Sequence, residues 1–286
     1  MSYLDRIAEC HRWEPDDYRP FVIEDMALGR VPHDLAIRLA DFPEVFQVSG
    51  HAVSLVPDLG GFAERTAAVA DVLGRMRAAG DITRWRNEAY PILRRWGEAP
   101  LLTMERAAVP LFGLRAYGVH LNGYVRDAGG LNLWVARRAK NKATAPGKLD
   151  HLVAGGQPHG IGVKANLIKE CQEEAGMDPD LAARAVPVGL VSYRCVRQEG
   201  LRDDVLFCFD LELPADFTPK NTDGEVESFD LWPFSRVLET IRDSDAFKFN
   251  VSFVILDFAI RHGFLQPDDP GYEEIAAGLH LPSTPI

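Results

Sequence analysis

Gly155-Gly156-Gln157-Pro158-His159-Gly160-Ile161-Gly162-Val163-Lys164-Ala165-Asn166-Leu167-Ile168-Lys169-Glu170-Cys171-Gln172-Glu173-Glu174-Ala175-Gly176-Met177 is the stretch on which the reading of this chain turns. Its second half predicts a helix from Val163 to Ala175, closed by Gly176 in the position after the helix. Each helical residue advances about 100°, so Glu170, Glu173 and Glu174 share an arc of roughly 100°. Leu167, Ile168, Cys171 and Ala175 take the neighbouring arc, which can bury against a sheet. Three carboxylates on one face repel at a few tenths of a kcal/mol per exposed pair, about the size of other helical side-chain pairs. A hard divalent cation, Mg²⁺ or Mn²⁺, reverses that cost, because it prefers oxygen ligands and keeps waters that a diphosphate can replace. The glycines ahead of the helix let backbone approach a ligand, and Gly155 can offer a carbonyl oxygen to the metal. A glycine pair alone is usually a turn, and paired glutamates alone are usually solvated. Their order in one segment is what makes the pattern specific.

Working outward, Tyr117–Val125 and Leu131–Ala139 read as two strands joined by the turn Asp127-Ala128-Gly129-Gly130. Lys148–Ala154 is a third strand and Val205–Leu213 a fourth. A last helix starts near Asn250 and ends at Gly263. Towards the N-terminus the chain becomes small mixed α/β pieces. Val31-Pro32-His33-Asp34 looks like a helix start with proline at the first helical position, followed by Leu35, Leu39 and Phe42 at helical spacing. A second helix runs from Gly61 to Ala79 and stops at Gly80, with Val69, Val72, Leu73 and Met76 as its inner face. Arg84, Trp85 and Arg86 could line a site, with amphipathic surface and packing roles as the favoured reading. The boundary falls near residue 115, giving a smaller N-terminal α/β domain (1–115) and a larger domain (116–286).

The 286 residues carry 42 acidic against 31 basic side chains, a net charge of −11. That balance argues against coating a nucleic acid, which needs surplus Lys and Arg, while leaving room for a local basic pocket. Cys10, Cys171, Cys195 and Cys208 form no C-x-x-C pair, so a zinc knuckle is not expected and a reduced cytoplasmic setting is. Met1-Ser2-Tyr3-Leu4-Asp5-Arg6 lacks the plan of a signal peptide. Val251–Ile260 is too short to span a membrane. No Gly-Lys-Ser/Thr follows the glycines, which excludes a P-loop, and Gly160-x-Gly162-x-x-Ala165 matches the dinucleotide fingerprint only loosely.

The ordered segment resembles the signature of the Nudix hydrolases, G-x5-E-x7-R-E-U-x-E-E-x-G-U, where U is bulky and apolar. Gly155 takes the first position, Glu170 follows the arginine position, Cys171 is a U, Glu173 and Glu174 are the paired glutamates, and Gly176-Met177 is the ending. Ile161 replaces the first glutamate and Lys169 the arginine. Lysine keeps the charge but loses the bidentate fork. The resemblance implies an α+β Nudix fold, a mixed sheet sandwiched between helices, with Glu170, Glu173, Glu174 and Gly155 as metal ligands. It is closer to a subfamily that includes the Nudix domain found ahead of a thiamin pyrophosphokinase. Leu111-Phe112-Gly113-Leu114, Tyr117 to Tyr124, Leu133-Trp134-Val135-Ala136-Arg137-Arg138, Pro146 to Asp150, Asp223 to Phe229 and Asp257 to Gly263 carry that likeness.

What this implies is hydrolysis of a diphosphate ester to a monophosphate and phosphate. Thiamin diphosphate and its oxidised analogues are the leading substrates, and a homodimer is compatible. Arg137 and Arg138 alternate across a strand, so one of them at most reaches a phosphate. Trp134 and Tyr124 are ring-stacking candidates, with packing as the competing role. Lys148 and Lys142 are phosphate candidates. Glu225 and Glu227 are candidates for an extra ligand or for the base that accepts a water proton. His120 and His159 are read as strand and loop residues. Two other readings stay open on the same residues: a different enzyme class on this fold, such as an isomerase, and a metabolite-binding or sensing module with little catalysis.

Overall fold

The computed structural model describes residues 2–142 and 144–281. Met1, part of the opening segment weighed above, lies outside them. The chain starts with α1 (Tyr3–Glu9), capped by Ser2 and Asp5 in a reciprocal box. A four-stranded sheet follows, ordered β2-β1-β4-β3 and built from β1 (Tyr18–Ile23), β2 (Met26–Pro32), β3 (Phe46–Val48) and β4 (Val53–Leu55). Here α2 (His33–Leu39) begins one residue later than the sequence suggested. Pro32 ends β2 and caps the helix rather than opening it. An edge strand tolerates the missing N–H. In α3 (Phe62–Ala79) the four expected inner residues are buried, and Gly80 ends it with φ 88°. The two-stranded β5 (Ala89–Ile92) and β6 (Leu102–Glu105) complete this part. Phe21, Phe46 and Phe112 interlock at its centre, with ring centroids 5.0 to 6.2 Å apart.

The second sheet has seven strands. β7 (Arg115–Asp127) and β8 (Gly130–Arg138) form the expected hairpin. The single strand expected over 148–154 is two: β9 (Leu149–Asp150) pairs with β8, and β10 (Val153–Gly156) pairs with β7. The chain changes partner at His151-Leu152, because β8 accompanies only the last turn-proximal residues of β7 and leaves Gly118–Leu121 open to β10. Next come α4 (Val163–Ala175), α5 (Pro179–Ala182), and the antiparallel pair β11 (Val186–Arg197) and β12 (Gly200–Glu212). β12 runs parallel to β7 over ten residues. β13 (Val226–Pro233), which carries Glu227 and was not among the strands expected from sequence, pairs with β8. α6 (Phe234–Asp243), α7 (Val251–Arg261) and α8 (Tyr272–Gly278) follow.

Helices cover both faces of this sheet. Leu167, Cys171 and Ala175 of α4 pack on Val119 and Leu121, while Phe253 and Phe258 of α7 pack with Tyr124 and Leu133 on the other side. The first helix belongs to this second core. Ile7 and Cys10 are buried in it, the Tyr3 hydroxyl donates to the Leu238 carbonyl at 3.4 Å, and Arg6 Nε donates to the Ile241 carbonyl at 2.8 Å. No helix among the described residues is long and apolar enough to cross a membrane.

Candidate active site

The site is built where β10 meets α4. Asn166, buried in the first turns of α4, donates to the Gly156 carbonyl at 2.7 Å, and Gln157 donates to the Ile161 carbonyl at 2.6 Å. These bonds tie the glycine loop to the helix. At the other end Gly176 adopts φ 59°, and the Gly176 and Met177 amides close the helix onto Gln172 and Cys171. Between these anchors the Ala154 N–H donates to Glu174 Oε2 at 2.8 Å. A Cβ on Gly155 would overlap the Glu170 carboxyl group, so glycine is what lets strand and helix approach here.

Glu174 is half-buried, and the loss of solvent around it pushes its carboxyl up to about 8, with the Ala154 N–H opposing and Glu170, Asp150 and Glu225 adding to the rise. Burial also raises Glu170, against the pull of Lys169. Lys169 Nζ lies 2.6 Å from Glu173 and 3.2 Å from Glu170, so it bridges two glutamates of the box as the signature's arginine is expected to do. Glu173 is held on the outside of the helix by that pair, with 48% of its side chain exposed.

Beside Glu174 lies a small cavity walled by Arg138, Lys142, Asp150, His151 and Glu225. Glu225 is paired with Lys142; burial works to raise its carboxyl, but Lys142 and Arg138 bring it below the ordinary value. Asp150 is buried too, yet Lys248 and Arg138 hold it well below the carboxylate range. Arg138 Nη1 is 2.6 Å from Asp150, and Lys248 Nζ is 3.9 Å away. Behind them His120 Nδ1 and His151 Nδ1 face each other at 3.0 Å, and burial holds both rings below their usual values, His151 at about 4. Among the described residues no three His, Cys, Asp or Glu side chains are gathered closely enough to enclose a cation by themselves. What stands together is the Glu170 carboxyl group against Gly155 and the Glu174 carboxyl group fixed by the Ala154 N–H, two oxygen donors of the kind that suit Mg²⁺ or Mn²⁺, while the Gly155 carbonyl oxygen lies against Gly118 of β7.

Residues 2–116 match a family model described as a domain of unknown function, DUF4743. Over 279 residues the chain is 45% identical to "Nudix hydrolase 24, chloroplastic" of Arabidopsis thaliana, spanning 96% of this chain and 76% of that protein. The chain belongs to the Nudix hydrolase family. "Nudix hydrolase 20, chloroplastic" of the same plant is 44% identical over 285 residues, with the same coverage. "Uncharacterized protein YJR142W" of Saccharomyces cerevisiae is 34% identical over 212 residues, 68% of this chain and 61% of that one.

In this Nudix hydrolase the signature occupies β10, the glycine loop and α4, and the sheet between helices is the Nudix fold. Of the residues singled out from sequence, Glu174, Glu225, Arg138 and Lys142 line one small cavity, and Gly155 lies against Glu170. Arg138 spends its donors on Asp150 and on the Thr144 and Ala145 carbonyls, and Arg137 donates to the Gly147 carbonyl at 3.0 Å. The arginines thus hold the backbone carbonyls of Thr144, Ala145 and Gly147. Glu227 is half-exposed, 3.8 Å from Lys140 and apart from the carboxylates. Tyr124 is 9% exposed and packs edge-on to Phe258 and His262, so it is a core residue rather than a stacking platform. Trp134 packs against Phe217 at 6.3 Å. Lys148 pairs with Asp245 at 3.0 Å beside a cleft whose lining includes Arg84, Thr144, Glu199 and Lys248. His159 meets the Phe62 ring in its loop.

The sequence reading missed the cleft that opens onto Gly155 and Gly156. One wall comes from the N-terminal part and includes Arg84, Arg86, Tyr90 and Arg106; the other carries Arg202, Asp204 and Lys248. Arg202 donates twice to Asp204, at 2.6 and 2.8 Å, and lies 3.3 Å from Glu199. Two signals pointed to it: Arg84 and Arg86, weighed from sequence as possible site residues, and the charged run Arg202-Asp203-Asp204 inside an otherwise β-forming stretch.

Proposed function

We propose that this Nudix hydrolase is a metal-dependent diphosphatase, cleaving an organic diphosphate to a monophosphate and phosphate. Thiamin diphosphate and its oxidised analogues are the leading substrates. The observation that supports it is the placing of Glu170 against Gly155 and of Glu174 against Ala154, on the strand whose Ala154, Gly155 and Gly156 also line a cleft with four arginines. Mg²⁺ or Mn²⁺ bound there supplies charge neutralisation for the diphosphate and a more acidic water. Glu174 is fixed by the Ala154 N–H, which leaves its other oxygen for the cation. Glu170, against Gly155, is the second ligand, and Glu173 serves to hold Lys169 across the box. Attack of water on phosphorus breaks the P–O–P bond, and the water's proton passes to a carboxylate. Glu225 is the favoured acceptor, since its partners keep it ionised. The four cysteines are free and buried, which supports a reducing, cytoplasmic setting.

The test is phosphate release with Mg²⁺ over a panel of thiamin diphosphate, its oxo and oxy analogues, ADP-ribose and nucleoside di- and triphosphates. Glu174→Gln should keep the fold and lose about a hundredfold or more in turnover. Near-unchanged turnover in that variant would overturn the ligand assignment. Silence of the folded wild-type protein across the panel would favour the sensing module.

A further inference from the structure

We propose that the N-terminal part completes the catalytic cleft and that Arg106 is a substrate-binding residue there, taking the phosphoryl group of an organic diphosphate that is not held at Glu170 and Glu174. The inference rests on the diphosphatase reading above and assigns a residue outside the Nudix signature to it.

The contact begins at Gly156. A Cβ on this residue would overlap the Tyr90 hydroxyl and would lie 3.3 Å from the Arg106 guanidinium carbon. The two glycines thus have different occupants: Glu170 lies against the first, and Tyr90 with Arg106 against the second. Successive strand residues face opposite sides, so Glu170 and Arg106 approach β10 from its two faces, one residue apart along the chain. Arg106 is close enough to lower the carboxyls of both Glu170 and Glu225. It is also aimed. Its backbone N–H donates to the Glu88 carbonyl at 2.8 Å, its Nη1 to the Glu88 carboxylate at 2.7 Å, and its guanidinium sits 5.4 Å from the centre of the Tyr90 ring. A guanidinium has five N–H donors in a planar fork, and the Glu88 bond uses one. With 44% of its side chain exposed, the rest of the fork faces the cleft.

The charge balance of the cleft points the same way. The chain is net acidic, at −11, yet this wall carries three arginines. Among the described residues Arg84 donates to the neutral Gln198 amide oxygen at 2.9 Å, while the acids opposite, Glu199 and Asp204, are engaged by Arg202. A surplus of cation beside a carboxylate pair is a division of labour. A diphosphate can place one phosphoryl group on the carboxylate-bound cation and the other on a planar fork that fits it bidentately.

The experiment uses the full chain with Mg²⁺ and methylenediphosphonate, a diphosphate that cannot be hydrolysed, followed by calorimetric titration. Arg106→Gln should weaken binding by at least about tenfold, the size of a charge-assisted hydrogen bond. It should raise KM for any turned-over diphosphate more than it lowers kcat, and Arg106→Lys should recover part of the loss. Glu88→Gln, which frees the fork from its carboxylate, should tighten binding, a direction that a damaged fold does not produce. Wild-type affinity in a folded Arg106→Gln protein overturns the inference. If that variant does not fold, Glu88→Gln decides, and a failure to tighten overturns it. A wild-type protein that does not bind the probe overturns it as well. Glu174-dependent turnover is scored separately: if it persists without any effect at Arg106, the diphosphatase reading stands and this inference falls. If the probe binds through Arg106 while nothing is turned over, the anion site stands without the hydrolase reading.

Discussion

The Ala154 N–H and the Glu174 carboxylate, 2.8 Å apart, join the strand that carries Gly155 to the helix that carries Glu170. One oxygen of a half-buried carboxylate is thereby fixed to backbone, and the helix face is set against the glycine pair. Such a bond favours the ionised form, yet burial outweighs it and the carboxyl titrates near 8.

That balance has a sign that can be measured. With its ordinary value at 4.5 and its folded value near 8, Glu174 holds a proton in the folded protein that the unfolded chain has released. Its contribution to stability is therefore present below pH 4.5 and lost as pH rises through about 8. In chelator, Glu174→Gln should flatten this dependence and make the variant the more stable protein at about pH 9. Urea midpoints of both proteins across that range check it. Parallel profiles would mean that Glu174 is ionised in the folded protein throughout.

Gly156→Ala should destabilise by about 1–3 kcal/mol, the usual cost of forcing atoms into a filled site. The added methyl meets the Tyr90 hydroxyl first. Pairing it with Tyr90→Phe should return part of the loss, because the overlapping oxygen is gone. Chemical denaturation of the single and double variants gives the coupling. Wild-type stability in Gly156→Ala would show that the two parts of the chain yield at this contact.

Arg138→Ala should cost about 3 kcal/mol or more, since it leaves the buried Asp150 carboxylate with Lys248 at 3.9 Å as its remaining cationic partner. Arg138→Lys should lose less stability but still free Thr144 and Ala145, whose carbonyls the guanidinium holds. Limited proteolysis near those residues separates the two effects: both variants should be cut faster than wild type, with only the alanine variant strongly destabilised. Equal resistance to protease in all three would remove the anchoring role.

The catalytic helix was legible residue for residue, because a capping glycine and an apolar stripe mark both its ends and its buried face. The β7–β8 hairpin and α3 were legible for the same kind of reason, each being bounded by local turn chemistry. β11 was hidden by Pro187 and Gly189 in an edge strand, and β13 by the acidic residues at its start. Glu225, singled out from a short acidic motif, lines the cavity beside Glu174, whereas Glu227, two residues on, meets Lys140 at 3.8 Å. Tyr124 and Arg138 were named for what their side chains can do, while the structure uses them for packing and for holding backbone. Arg106 left no trace, because its meeting with Gly156 spans fifty residues of sequence and no periodicity records such a contact.

The first helix is made early and used late. Its neighbours, α6, α7 and α8, are the last elements synthesised, so an apolar face carrying Ile7 waits for its surface while more than two hundred residues emerge. Cutting the chain near residue 115 would not separate two finished units. It would strip a wedge from the far end of the larger one, uncovering apolar side chains around Ile241 and Ile275 that no residue next to the cut can cover.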